Sequence, residues 1–189
     1  ELEQIRHAIA KSQRPCIYAG GGIISGGASE ELTRFAETYN IPVATSLMGI
    51  GAFPETHPLS LKYLGMHGTY YANYAADQCD LLLAFGARFA DRSTGNAKEF
   101  ARDAFIIHID IDESEINKNV HADIGIAADI REVLHELNKE PVFLPRQEWM
   151  EMIRRWKTEH PLAYHPVPDK LKPQQVIETL YRLTDGKAV

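Results

Sequence analysis

Leu81-Leu82-Leu83-Ala84-Phe85-Gly86-Ala87-Arg88 is the stretch on which the fold turns. The apolar run from Leu81 to Ala87 is far too short to cross a bilayer, which takes about 20 residues in a helix. It reads as a strand buried on both faces, because such strands lose the alternation of apolar and polar positions. The strand itself reads as Leu81 to Phe85, with Gly86 following it and Arg88 setting a charge just past its carboxyl end. Outward from this strand the same grammar repeats in both directions.

Upstream, Pro15 to Ala19 is an apolar strand that runs into Gly20-Gly21-Gly22. Ser29 reads as a helix N-cap with Glu30 and Glu31 in the first turn, where the helix dipole favours acids. Leu32, Phe35, Ala36 and Tyr39 then follow helical spacing, and Asn40 is a plausible stop. Ile41 to Thr45 reads as a second strand with its proline at the entrance. Leu2, Ile5 and Ile9 fit a short amphipathic helix ending near Ser12, and a loop rich in Gly and Pro covers Ser46 to Pro58. A helix of small residues is expected over Tyr70 to Ala76.

Downstream, Asn96 to Ala101 is expected as a helix, Phe105 to Ile111 and Ile124 to Ala127 as strands. Ile130, Val133, Leu134 and Leu137 share one face of a following helix. Apolar strands alternating with helices make an α/β fold, a doubly wound parallel sheet with helices on both faces. Beyond Pro141 the character changes. Trp149, Ile153 and Trp156 mark an isolated helix, and His160 to Pro173 holds four prolines and reads as an extended linker. Gln174 to Leu183 begins another helix with no following partner, which fits truncation. The expected division is a domain over 1–140, a linker with one helix over 141–173, and the start of a further domain over 174–189.

Composition narrows the function. The 189 residues are 44% hydrophobic and 24% charged, ordinary for a globular protein. A net charge of -6 offers no footprint for nucleic acid or an anionic membrane. The one basic cluster, Arg154-Arg155-Trp156-Lys157, reads as a solvated helix face. Cys16 and Cys79 cannot build a four-cysteine zinc site and read as buried reduced thiols. The opening residues resemble neither a signal peptide nor a transit peptide.

In an open parallel sheet, ligands bind beyond the carboxyl ends of the strands, near the switch point. Gly20-Gly21-Gly22, Ser46-Leu47-Met48-Gly49, Gly86-Ala87-Arg88, Asp110 with Asp112, and Asp129 all fall at such ends. Five ends converging on one rim suggest a long ligand lying across the sheet. The glycines suit either a phosphate cradle or a plain tight turn; Ser25 stands where a dinucleotide fingerprint wants its third glycine. Thr45 occupies the place of a ribose-binding acid, which disfavours a conventional NAD site. Arg88 suits a diphosphate or a salt bridge to Asp91 or Glu99. His67, between Met66 and Gly68, suits a ligand contact or a satisfied polar role. His108, Asp110 and Asp112 share one strand face. Too few ligands converge there for a metal site, and such aspartates more often accept ribose hydroxyls or cap a helix. No nucleophile triad or P-loop is present.

Four ordered stretches resemble the catalytic subunits of acetohydroxyacid (acetolactate) synthase. Ile41-Pro42-Val43 before Ser46-Leu47-Met48-Gly49 is similar to that family's I-P-V-x-x-T-L-M-G, and Leu64-Gly65-Met66-His67-Gly68 with Ala72-Asn73-Tyr74-Ala75 resembles its L-G-M-H-G…A-N-x-A. Phe85-Gly86-Ala87-Arg88-Phe89-Ala90-Asp91-Arg92 looks like its F-G-x-R-F-D-D-R, with Ala90 in place of the first Asp. His108-Ile109-Asp110-Ile111-Asp112, then Glu115-Ile116 and Lys118-Asn119, resembles its H-I-D-I-D…E-I-x-K-N. Leu183 to Ala188 is similar to the entry to the family's third domain.

The resemblance implies a Rossmann-like central domain with six strands that binds FAD, in a thiamine-diphosphate and Mg2+ enzyme. That enzyme decarboxylates pyruvate and condenses it with a second 2-keto acid in branched-chain amino acid biosynthesis. Carried over, the FAD contacts would be Gly21, Gly22, Ser46, Leu47, Leu64, Gly65, Met66, His67, Gly86, Ala87, Arg88, Asp110, Ile111, Asp129 and Ile130. Arg92, Met66 and Asp91 would face the second keto acid. The resemblance further implies a homo-oligomer with a regulatory subunit, cytoplasmic in a bacterium. Thiamine diphosphate and Mg2+ would be bound by domains outside this chain, so it holds no catalytic residue and should be inactive alone. Rivals are a glyoxylate carboligase or related decarboxylase, a non-catalytic flavin module, and a sirtuin-type deacylase, whose four zinc cysteines are missing.

Overall fold

A computed structural model describes residues 1–141 and 143–187; Ala188 of the tail motif lies outside the described residues. Six strands form one sheet: β1 (Pro15–Ala19), β2 (Val43–Thr45), β3 (Ser60–Tyr63), β4 (Leu81–Phe85), β5 (Phe105–Asp110) and β6 (Ile124–Ala127). Their order is β3-β2-β1-β4-β5-β6, and every neighbouring pair is parallel. The quoted apolar run is β4. It lies against β1, with Pro15 opposite Leu81 and Ala19 opposite Phe85. The chain leaves β1 outward to β2 and β3, then returns to β4 and runs outward the other way. The switch point therefore falls between β1 and β4, where the carboxyl ends open a crevice.

Alternation along each strand makes two cores. On one face, Ile17, Ala19, Leu83, Phe85, Ile107 and Ile109 pack beneath α1 (Leu2–Lys11), α3 (Ser29–Tyr39) and α6 (Ile130–Leu137). On the other, Cys16, Tyr18, Leu82, Ala84 and Ile106 pack beneath α4 (Tyr70–Gln78) and α7 (Gln147–Glu159). Each fully buried Leu, Ile or Phe contributes about 1.5–3 kcal/mol relative to exposure. Short helices α2 (Gly21–Ser25) and α5 (Asp91–Thr94) sit at strand ends, and α8 (Pro173–Thr184) buries none of its residues. Both cysteines are buried and free, with the Cys16 thiol pushed up to about 12 by burial. Among the described residues, no helix is long and apolar enough to cross a membrane.

The sheet holds six strands where the pattern of residues yields five. The extra one is β3, an edge strand whose four residues include only one aliphatic side chain, Leu61, too little for a period to show. The helix expected over Asn96 to Ala101 does not form. Asn96 turns its side-chain oxygen onto the Lys98 amide, and Ala101 takes a left-handed φ of 47°. The chain is helical instead at Asp91–Thr94. Ser29 lies inside α3 rather than capping it; Ala28 holds the cap position and offers no side-chain bond. Asn40 does end α3, at φ 50° in the left-handed region.

The helix expected to be isolated is packed. Trp149, Ile153 and Trp156 of α7 are buried against the second face, and the Trp149 indole donates to the Pro15 carbonyl at 3.0 Å. Arg146 begins this helix and is itself buried. Its guanidinium donates to the carbonyls of Ile9, Ser12 and Tyr39, the unpaired C-terminal acceptors of α1 and α3. Burial pushes the Arg146 guanidinium down to about 10. Within the basic cluster, Arg154 and Arg155 are exposed as expected. Lys157 is not a free surface charge: its ammonium donates to the Pro58 carbonyl at 2.7 Å, and burial pushes it down to about 8.

Candidate functional site

The carboxyl rim of the sheet collects the segments that follow β1 to β6. At its centre the turns after β1 and β4 interlock. Gly20 donates to the Phe85 carbonyl at 2.9 Å and Gly22 to the Gly86 carbonyl at 3.0 Å. A Cβ on Gly20 would lie 1.9 Å from the Gly86 oxygen, and one on Gly22 would lie 2.6 Å from the Gly86 Cα. Backbone-on-backbone packing thus already requires these glycines, and the Gly22 amide is committed before any phosphate arrives. Of the two meanings left open for this turn, the tight packing is visible in the structure.

Gly86 itself has φ 57°, and it starts a segment that throws Arg88 outward. The Arg88 side chain is 74% exposed and meets Glu115 only at 4.0 Å, not Asp91 or Glu99. Such an exposed pair holds the guanidinium by about 0–1 kcal/mol, so it is free to take an anion. Its backbone is fixed more firmly, because Asn119 donates to the Arg88 carbonyl at 3.0 Å. Glu115 is buried and bound to Lys118 at 2.8 Å. Phe89 follows at φ 47°, buried between Tyr18 and His108.

On the β3 side, Gly65 has φ 124° and lies against the backbone of Arg92 and Ser93. Met66 donates its amide to the Arg92 carbonyl at 2.8 Å. The expected substrate pair, Met66 and Arg92, is thereby brought side by side from distant segments, with Asp91 next to it and bonding the Arg92 amide. Asn73 of α4 clamps Gly65 from both directions, accepting from its amide and donating to its carbonyl at 3.1 Å each. His67 is exposed.

On the other side, the Asp110 carboxylate is buried and accepts from the Asp112 amide; Asp112 caps the turn at Ser114, and Asp129 caps α6 at Arg131. Each carboxylate keeps acceptor capacity for a hydroxyl. Ser46 uses its hydroxyl as acceptor for the Gly49 amide. The side chains of Leu64 and Ile130 are core, in the second and first clusters respectively, so only their backbone could reach a ligand. The same holds for buried Ala87.

The rim's most unusual property is apolar exposure. Leu47, Met48, Met66 and Ile111 are 63%, 74%, 72% and 75% exposed, all on this one edge. Large apolar side chains grouped at a strand-end crevice mark a surface built to be covered. A cavity of about 750 Å3 lies elsewhere, between α1 and the amino ends of β4 to β6. Its two aspartates are already spent on the fold, with Asp80 bonding the Gln13 and Arg14 amides and Asp123 the Ile106 amide. The rim therefore has the better claim, although it is an open ledge. Among the described residues no group of three His, Cys, Asp or Glu could hold a metal ion.

Asn73, Asn119 and Glu115 are the rim residues that residue patterns miss as site components. Each lies within a family-like stretch, A-N-x-A or E-I-x-K-N, but carries no charge pattern or period of its own. His108, weighed in the sequence only as one of too few metal ligands, is fully buried, with neither ring nitrogen hydrogen-bonded.

Comparison with known proteins accounts for these stretches. The chain is 45% identical over 190 residues to the acetolactate synthase large subunit of Buchnera aphidicola from Acyrthosiphon pisum, covering 98% of this chain and 33% of that protein. It is 48% identical over 194 residues to the chloroplastic acetolactate synthase 1 of Nicotiana tabacum, covering all of this chain and 29% of that one. It is 42% identical over 195 residues to the isozyme 3 large subunit of Escherichia coli, covering 34% of its length. The chain thus spans about a third of the length of these relatives. Residues 2–137 match the family described as thiamine pyrophosphate enzyme, central domain, and the chain belongs to that family.

Proposed function

We propose that this chain is the FAD-binding central domain of an acetolactate synthase, whose rim carries the flavin cofactor and helps to select the second 2-keto acid. The observation that carries this reading is the pairing of an unsatisfied Arg88 with exposed Leu47, Met48, Met66 and Ile111 along one strand-end crevice. A flavin dinucleotide needs both kinds of surface. Arg88 offers fork geometry to the diphosphate. The exposed methionines and aliphatics fit the ring systems, and Asp110 and Asp129 retain acceptors for ribose hydroxyls. Bound there, FAD would serve as a structural cofactor rather than as a redox partner of the net reaction.

In this reading the thiamine diphosphate and Mg2+ that run the chemistry are held by domains on either side, and α8 opens the one that follows. The exposed apolar face of α8 supports that division. The relatives' names, large subunit, support a smaller regulatory partner, and a bacterial version would be cytoplasmic. Asp91 and Arg92 would stand at the mouth of the active site, with the Arg92 guanidinium on the carboxylate of the incoming keto acid. A glyoxylate carboligase is the second reading; the synthase relatives at 42–48% identity favour the first.

The test uses the full-length enzyme. Arg88→Ala should weaken FAD retention roughly tenfold or more, the worth of about 1.5–3 kcal/mol for a charged hydrogen bond. Unchanged FAD affinity would overturn the assignment of the rim. Arg92→Ala should depress condensation with a second keto acid roughly 10–100-fold while sparing the initial decarboxylation, by the same magnitude. Equal loss of both steps would remove Arg92 from substrate selection.

A further inference from the structure

One polar group under the rim has no structural employment. His108 is fully buried on the second face of β5, and neither imidazole nitrogen has a hydrogen-bond partner. Leaving a buried polar group unpaired costs about 1–3 kcal/mol, and an apolar ring of the same shape would avoid that cost. Nothing in the packing demands an imidazole: the ring meets Phe89 edge-on at 5.0 Å between centroids, a contact phenylalanine makes equally well.

Its surroundings show what it could be for. Gly86 donates its amide to the Ile109 carbonyl at 2.8 Å, which lays Ala87 beside this part of β5, and the Ala87 carbonyl favours the protonated ring without meeting hydrogen-bond geometry in this structure. Ala87 and Arg88 are bracketed by two left-handed residues, Gly86 at φ 57° and Phe89 at φ 47°. A left-handed non-glycine residue costs of order 1 kcal/mol or more, and such strain gathers at ligand clamps. Asn119 holds the Arg88 carbonyl at 3.0 Å, so the Arg88–Phe89 peptide is fixed independently of the imidazole. The segment is thus tethered at the Arg88 peptide, strained at Phe89, and lies beside an unused donor.

We infer that His108 is a positioning residue for Arg88: its imidazole N–H bonds the Ala87 carbonyl when a ligand seats on the rim, and this holds Arg88 in its gripping position. The inference rests on the reading of the rim as a flavin site. Binding energy from the ligand brings the Ala87 carbonyl within hydrogen-bond reach, and the buried donor becomes satisfied only in the occupied state. Both terms favour the bound conformation and neither helps the empty one.

The experiment uses the full-length enzyme and measures FAD affinity for His108→Phe, Arg88→Ala and the double variant. His108→Phe keeps ring volume and loses the donor, so it should leave thermal stability unchanged or raised. It should weaken FAD about tenfold, and His108→Asn or His108→Gln, which restore a donor near one ring nitrogen, should recover much of that loss. The double variant should bind no worse than Arg88→Ala alone, since His108 acts through Arg88. Wild-type affinity in His108→Phe, or losses that add in the double variant, would overturn the inference while leaving the rim assignment standing. Unchanged affinity in Arg88→Ala would overturn both. Should His108→Phe fail to fold, the unmutated flavin-bound enzyme decides by crystallography. A ring nitrogen within about 3.2 Å of the Ala87 oxygen supports the inference, and one beyond hydrogen-bond reach ends it.

Discussion

The two ends of this sheet spend their polar groups differently. At the amino edge every strong donor and acceptor described above is consumed by the fold. Asp80 bonds the Ser12 hydroxyl and the Gln13 and Arg14 amides, Asp123 bonds Ile106, and Trp149 bonds Pro15. Close behind that edge, Arg146 ties off the carbonyl ends of α1 and α3. At the carboxyl rim the backbone is held as firmly, by interlocked glycines and by Asn73 and Asn119, yet Arg88, His108 and the large apolar side chains are left unspent. Arg88 hangs on a 4.0 Å contact, four large apolar residues face outward, and His108 bonds nothing. A rigid backbone presenting unsatisfied side chains is how a site differs from a buttress.

That contrast can be broken by mutation. The largest effect belongs to Trp149→Ala, which empties a buried indole site and strips the Pro15 carbonyl of its donor. Urea unfolding should show a loss of about 3–5 kcal/mol. Asp80→Ala removes a charged acceptor from three donors at once and should cost about 2–3 kcal/mol by the same assay. At the rim, Arg88→Ala and Met66→Ala should each change unfolding by less than about 0.5 kcal/mol, because neither exposed side chain loses more than the long Arg88–Glu115 contact. Rim variants as damaging as Asp80→Ala would show that both ends serve stability alike. The contrast would then be void.

The sequence reveals the middle of the sheet more readily than its margins, for physical reasons. β1 and β4 are covered on both faces, so their apolar runs are continuous and their limits, Pro15 to Ala19 and Leu81 to Phe85, can be read directly. β3 is an edge strand with Ser60, Leu61, Lys62 and Tyr63, and half-burial of four residues leaves no pattern. α7 misleads differently. Its Trp149, Ile153 and Trp156 stripe is plain, but it packs on α4 and bonds β1, both more than 60 residues earlier in the chain. The rim divides the same way. Strand-end position exposes Arg88, Asp110 and Asp129 to sequence reasoning. The meeting of Met66 with Arg92 depends on a left-handed Gly65, and the buried idleness of His108 depends on tertiary packing; neither has a local signature.

The smallest predicted effect separates the two ends by pH. Burial holds the His108 imidazole below its ordinary 6.5, against the weaker upward pull of Asp110, the Ala87 carbonyl and Glu115. The folded chain therefore refuses a proton that the unfolded chain accepts once pH falls below about 6.5. Stability linked to this residue is complete above that pH and is lost progressively as pH falls toward the folded value. His108→Phe removes the linkage. Compared between pH 7.5 and 5.5, the variant should lose less stability than the parent chain, by a fraction of the 1.36 kcal/mol that a full pKa unit represents. The amino edge supplies the control: Trp149→Phe changes packing and carries no titrating group, so its pH slope should follow the parent's. If His108→Phe and the parent lose stability in parallel, the imidazole is not buried as neutral in the folded chain. The idle donor beneath Arg88 would then have to be a charged one with a partner.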